Sequence, residues 1–147
     1  MTITFEKTGD LFPALLNTDA IIVNANINGI ELDNLLVDGG SACDLLPLTT
    51  FKQMNLKEES LEEFNGSIRG VTGHDTPILG KIKLPMTLGN LPLSARHSIE
   101  FLVADVSSDH DGIIGRPSQA IFEAAVSIRH RTMKFITPYG VGEVQSG

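Results

Sequence analysis

The chain of 147 residues has one cysteine, no tryptophan, one tyrosine, and only 11 lysines and arginines against 18 acidic residues. Each shortage excludes something. A single cysteine forms no internal disulfide and fits a reducing compartment. The formal net charge of −7 and the lack of any Lys/Arg run argue against nucleic acid as a partner, because phosphate binding draws on clustered cations. No apolar stretch approaches the roughly 20 residues of a membrane span or forms a secretory h-region, so no membrane partner is expected and the reading is a soluble, intracellular, cytoplasmic protein. His97, His110 and His130 have no ligand-like spacing to other donors, so neither a metal nor a cofactor is expected.

What the chain does have is a series of short β-forming runs separated by turn residues. Its length suits one domain with a modest core, taken as residues 1–147 with the core at 19–137. Ile21, Val23, Ala25 and Ile27 alternate with Ile22, Asn24, Asn26 and Asn28, and Asn28-Gly29 predicts a two-residue hairpin. The strand returns from Ile30 to Val37. Another short strand is expected from Ser41 to Leu46. Residues from Leu48 to Phe64 carry Lys and Glu in a pattern that predicts one or two short helices, a surface insertion away from any site. Ile78, Gly80, Ile82 and Leu84 alternate with Leu79, Lys81 and Lys83 as a half-exposed strand, and Gly89-Asn90 marks a turn. Ser98 to Val106 forms a strand with Ile99, Phe101 and Val103 on one face, and Val126 to His130 pairs with Thr132 to Ile136. Residues 138–147, beginning Pro138-Tyr139-Gly140-Val141-Gly142, read as a linker tail. Many short strands with one short helix late in the chain predict an all-β fold, a small closed barrel with one helical insertion.

Two elements carry chemistry. In the first, the apolar strand Leu35-Leu36-Val37 runs into Asp38-Gly39-Gly40-Ser41. A carboxylate followed by glycines sits in a tight loop where backbone amides can approach it and tune its pKa, and the Ser41 hydroxyl is expected to bond its outer oxygen. An ordinary Asp-Gly turn between two strands accounts equally well for this motif alone. In the second element, Asp111-Gly112-Ile113-Ile114-Gly115-Arg116-Pro117, the paired isoleucines predict a buried strand, Gly115 a close backbone approach and Pro117 the first turn of a helix. Ala120, Ile121, Ala124 and Ala125 would share one face of that helix.

The order of strand, Asp38-Gly39-Gly40-Ser41, a long excursion, then Ile113-Ile114-Gly115-Arg116 and a short helix resembles the retropepsins, the retroviral-type aspartic proteases. It is most similar to those of plant gypsy-class long-terminal-repeat retrotransposons. The resemblance runs from Asp19 to about Val144. It implies an aspartic endopeptidase that matures a retroelement polyprotein, with Asp38 as the catalytic carboxylate and Gly39, Gly40 and Ser41 as its loop. One such motif in the chain then implies a twofold homodimer acting on an extended peptide substrate. Gly70, Val71, Thr72, Gly73 and His74 fall where this family carries its flap. Ile113, Ile114, Gly115 and Arg116 would support the site, Arg116 pairing with Asp44. The chain departs from the usual motif at Gly39, where the family has a Thr or Ser hydroxyl that braces the two loops across the dimer. A dimerisation or peptide-binding module without hydrolysis, and a plain β-barrel with Asp38 in a turn, are the rival readings. Cys43, in the run Ala42-Cys43-Asp44-Leu45, reads as a small core residue more readily than as a redox switch near the site.

Overall fold

The computed structural model describes residues 21–64, 67–69 and 75–146, with side chains left undescribed at 67–69, 75 and 76. Among the described residues ten strands and two short α-helices follow in the order β1 (Ile21–Ile27), β2 (Ile30–Val37), β3 (Asp44–Pro47), α1 (Leu48–Gln53), β4 (Ser67–Arg69), β5 (Asp75–Asn90), β6 (Leu93–Ala104), β7 (Gly112–Ile114), α2 (Arg116–Ile121), β8 (Ala125–Ser127), β9 (Thr132–Thr137) and β10 (Gly140–Gln145). A 3₁₀ turn at Glu58–Ser60 lies between α1 and β4.

The first hairpin forms as the alternation predicts. Asn28 and Gly29 both take positive φ, 53° and 88°, the turn geometry that continues the right-handed twist of the paired strands. Ile21, Val23, Ala25 and Ile27 are all buried. On β2 the register slips between Val23 and Ala25, whose partners are Leu35 and Leu32. The extra residue resets the alternation, so that Leu32 and Leu35, three apart, both enter the core.

Seven strands share one sheet in the order β1-β2-β7-β3-β6-β5-β4, and β1 pairs again with β5, so six of them close into a barrel. Asn26 pairs with Thr87 and Ile27 with Met86 at that seam. The short β7 lies between β2, to which it is parallel, and β3, to which it is antiparallel. This placement brings the two chemistry-bearing segments side by side, although about 70 residues separate them in sequence. The core beneath them includes Phe101, Phe122, Phe135, Ile99 and Met86. Each such fully buried side chain contributes about 1.5 to 3 kcal/mol.

Several expectations need correcting. The tail at 138–147 is not a linker: β10 pairs with β9 along its length, and Val144 is buried. Helix α2 stops at Ile121, before Ala124 and Ala125. Its buried residue is Ser118, followed four positions on by buried Phe122, whereas Ala120 and Ile121 are exposed. The insertion after Leu48 does contain a short helix and a 3₁₀ turn, but α1 is more than surface, since Phe51 and Met54 enter the interior. Strand β6 begins at Leu93, so the turn falls at Leu91-Pro92 and not at Gly89-Asn90. The pairing expected between Val126–His130 and Thr132–Ile136 forms as β8 with β9, but the last hairpin is β9 with β10.

Candidate active site

Asp38 follows directly on β2, and its amide donates to the carbonyl of Ile114 at 3.0 Å, extending the β2–β7 ladder by one bond. The chain then turns sharply: the Ser41 amide donates to the Asp38 carbonyl (3.2 Å), and the Gly40 amide donates to Asp38 Oδ1 (2.9 Å). An amide reaching back to the carboxylate is what the glycines were expected to permit. A Cβ at Gly40 would come within 3.3 Å of Oδ1, whereas one at Gly39 would meet nothing within 4 Å. Asp38 is half-buried and both glycines are exposed, so the carboxylate stands at the rim of the barrel and not inside it. Ser41 does not bond that carboxylate. Its hydroxyl donates to the Cys43 carbonyl at 2.7 Å, because the tight turn carries Ser41 past Asp38 and points it along its own loop.

The β7–α2 turn backs this loop. The Arg116 amide donates to the Ser41 carbonyl at 2.9 Å. Gly115 lies so close to the loop that a Cβ there would collide with the Cys43 carbonyl, which explains why glycine follows Ile114. Asp44, only 1% exposed, closes the arrangement. Its Oδ1 accepts the Gly115 amide (2.7 Å) and the Ser118 hydroxyl (2.5 Å), and its Oδ2 accepts the Ser118 amide (3.1 Å). Burial pushes the Asp44 carboxyl above its ordinary pKa, while the Ser118 hydroxyl and the Gly115 and Ser118 amides pull it back down.

Arg116 is therefore not the partner of Asp44. Its side chain is exposed, and the carboxylate is already occupied by the turn behind it. Sequence reasoning missed Ser118. The available signal was a serine just inside a helix start, a position whose hydroxyl and amide often engage a nearby acceptor. It also missed Asn34, which sits in the β2 bulge and clamps the segment leading into β7. Asn34 Nδ2 donates to the Asp109 carbonyl (2.6 Å), its carbonyl accepts the Asp111 amide (2.7 Å), and its Oδ1 lies 3.0 Å from His110 Nδ1.

Burial raises the Cys43 thiol pKa, the Ser41 hydroxyl opposes that shift, and the Asp44 charge adds to it; the thiol is thus a poor nucleophile. Gly70, Val71, Thr72, Gly73 and His74 lie outside the described residues. Ile113 and Ile114 lie in β7, with Ile114 fully buried. Among the described residues no three His, Cys, Asp or Glu side chains are grouped to hold a metal ion, and no helix is long and apolar enough to cross a membrane.

No protein-family model matches the sequence, and no curated protein matches it either. Solved structures do. The retroviral protease-like domain of Ddi1 from Leishmania major superposes with a TM-score of 0.63 at 17% identity, over 87% of this chain and 90% of that one. A retropepsin-like aspartic protease from Rickettsia conorii gives a TM-score of 0.55 at 12% identity, over 85% and 81%. EIAV protease, solved with the inhibitor HBY-793, gives 0.53 at 20% identity, over 73% and 92%. At these identities the likeness speaks for the fold alone, and on that ground the chain has the retropepsin-like aspartic protease fold.

Proposed function

We propose that the protein is an aspartic endopeptidase that works as a twofold homodimer, with Asp38 of each copy forming the catalytic pair. The observation that carries this reading is the Asp38 carboxylate itself. It is half-exposed at the rim of the barrel, held by the Gly40 amide through Oδ1, on a loop braced from behind by β7 and Gly115.

One chain supplies one such loop, and two carboxylates are needed for the chemistry. Brought within hydrogen-bond reach, they share a proton and titrate as a coupled pair. The ionised member takes a proton from a water held between them as the water oxygen attacks the scissile carbonyl carbon. The protonated member meanwhile gives its proton to the carbonyl oxygen. The resulting gem-diol returns one hydroxyl proton to the pair, a proton passes to the amide nitrogen, and the C–N bond breaks to release acid and amine. The substrate in this reading is an extended peptide that pairs through its backbone with the chain beside the site, its alternate side chains entering apolar pockets.

By the same reading the chain matures a retroelement polyprotein in the cytoplasm or in element particles. Its Asp38-Gly39-Gly40-Ser41 form supports kinship with plant gypsy-class elements, where that variant occurs. The test is peptide hydrolysis by the purified protein and by Asp38→Asn. Turnover that rises faster than linearly with protein concentration and vanishes in the variant is the expected result.

One observation favours a second reading. Gly39 faces open space and offers no hydroxyl. A dimer without that brace lacks one hydrogen bond per copy, about 0.5 to 1.5 kcal/mol each. A peptide-binding or dimerisation module that does not hydrolyse would show a folded dimer and no turnover on a broad peptide library.

A further inference from the structure

Three bonds between the Asp38 loop and the turn behind it end on one carboxylate. Backbone bonds join Asp38 to Ile114 and Arg116 to Ser41. The other three run from the Gly115 amide, the Ser118 amide and the Ser118 hydroxyl to Asp44. Ser118 is fully buried and Asp44 is 1% exposed, so water does not replace these bonds when one is lost.

We propose that Asp44 and Ser118 are positioning residues: their buried bond latches the first turn of α2 to the far end of the Asp38 loop and so fixes the direction in which the Asp38 carboxylate faces. The inference rests on the peptidase reading above and deepens it. The geometry carries it in three steps. Asp44 begins β3, a strand paired on both sides, with β6 and β7, so its backbone is a fixed point. Ser118 lies one residue after Pro117, where a rigid φ limits how the turn can rearrange. Between these anchors, Gly115 packs against the loop carbonyls with no room for a methyl group. Releasing Ser118 from Asp44 therefore frees the turn, and with it the two backbone bonds that hold Asp38 and Ser41.

A buried carboxylate is an expensive acceptor for this task. Burial works against its charge, and well-packed apolar groups in place of the carboxylate and its donors together would serve stability equally well. A charged acceptor shared by three donors does, however, restrict orientation more tightly than a neutral one. That is what a carboxylate pair needing sub-ångström alignment requires.

The experiment compares Ser118→Ala, which removes the hydroxyl and adds no volume, with Phe51→Leu, which loosens the core at α1 and leaves the loop untouched. Amide hydrogen exchange at Asp38 and Arg116 is read against Val103 of β6, and kcat and KM are measured per folded dimer. In Ser118→Ala the Asp38 and Arg116 amides exchange about tenfold faster relative to Val103. Its kcat falls by about tenfold to a hundredfold, with KM changed less than about twofold. Phe51→Leu leaves both ratios as in the parent protein. An unchanged exchange ratio in Ser118→Ala overturns the proposal, and so does an equal change in Phe51→Leu. If the parent protein shows no turnover, it is the peptidase reading that fails, and the exchange ratio alone decides whether the latch exists.

Discussion

Asp38 and Asp44 lie six residues apart, at the two ends of one loop, and the fold treats them in opposite ways. Asp38 is half in solvent and accepts the Gly40 amide on one oxygen. Asp44 is sealed from solvent and accepts three donors, two of them from Ser118. A carboxylate buried away from solvent with both oxygens engaged by the protein can hold a structure together but is out of reach of a substrate water. A carboxylate at the rim, oriented by one bond, keeps that capacity. Only the second kind is suited to chemistry, and its orientation depends on the first.

The contrast can be broken most severely at Asp44. Asp44→Ala leaves the Gly115 and Ser118 amides buried without the acceptor they share, and urea unfolding should register a loss of about 3 to 5 kcal/mol. Gly115→Ala comes next, because its methyl group would have to displace the Cys43 carbonyl, which is backbone and cannot swing aside; the expected loss is about 2 to 3 kcal/mol.

Ser118→Ala should cost about 1.5 kcal/mol at neutral pH, and less in acid. The sign follows from the Asp44 carboxyl. Its folded pKa is raised overall by burial, so the protonated form favours the folded state and that contribution is lost as pH rises through the folded value. The Ser118 hydroxyl lowers the same pKa by bonding the ionised form. Removing it therefore hurts most where Asp44 is ionised, and urea titrations at neutral and acid pH should show the penalty shrinking as pH falls. The smallest effect is expected at the exposed acid. Asp38→Asn keeps an oxygen to accept the Gly40 amide, and its unfolding free energy should lie within about 0.5 kcal/mol of the parent.

Much of this arrangement was legible in the sequence wherever local chemistry dictates local shape. Asn28-Gly29 allows little but a tight turn, so the alternation before it predicts β1 and the chain returning after it predicts β2. The run Gly112-Ile113-Ile114-Gly115 announced a buried strand ending in a close approach, and both parts are present. What escaped reading depends on tertiary partners. Strand β10 contains two glycines and follows Pro138-Tyr139, a composition that reads as linker. Yet Gly142 lies flat against the Phe135 ring, where a Cβ would come within 2.6 Å, so the glycine marks packing and not freedom. Likewise the six-residue α2 is too short for a repeating apolar face. Its inward positions are set by Asp44 and the core, which select Ser118 and Phe122 over Ile121. The Arg116–Asp44 pairing drew on the resemblance, and in this chain a serine two positions later has taken the acceptor.

The central claim is that the exposed acid of the pair does the chemistry, and hydrolysis of a peptide library by the parent protein and by Asp38→Asn, over a range of protein concentrations and from mildly acid to neutral pH, tests it most directly. The account predicts turnover that climbs more steeply than protein concentration and is abolished in Asp38→Asn while the variant stays folded. A folded parent dimer without turnover, or an Asp38→Asn variant that still cleaves, would contradict it.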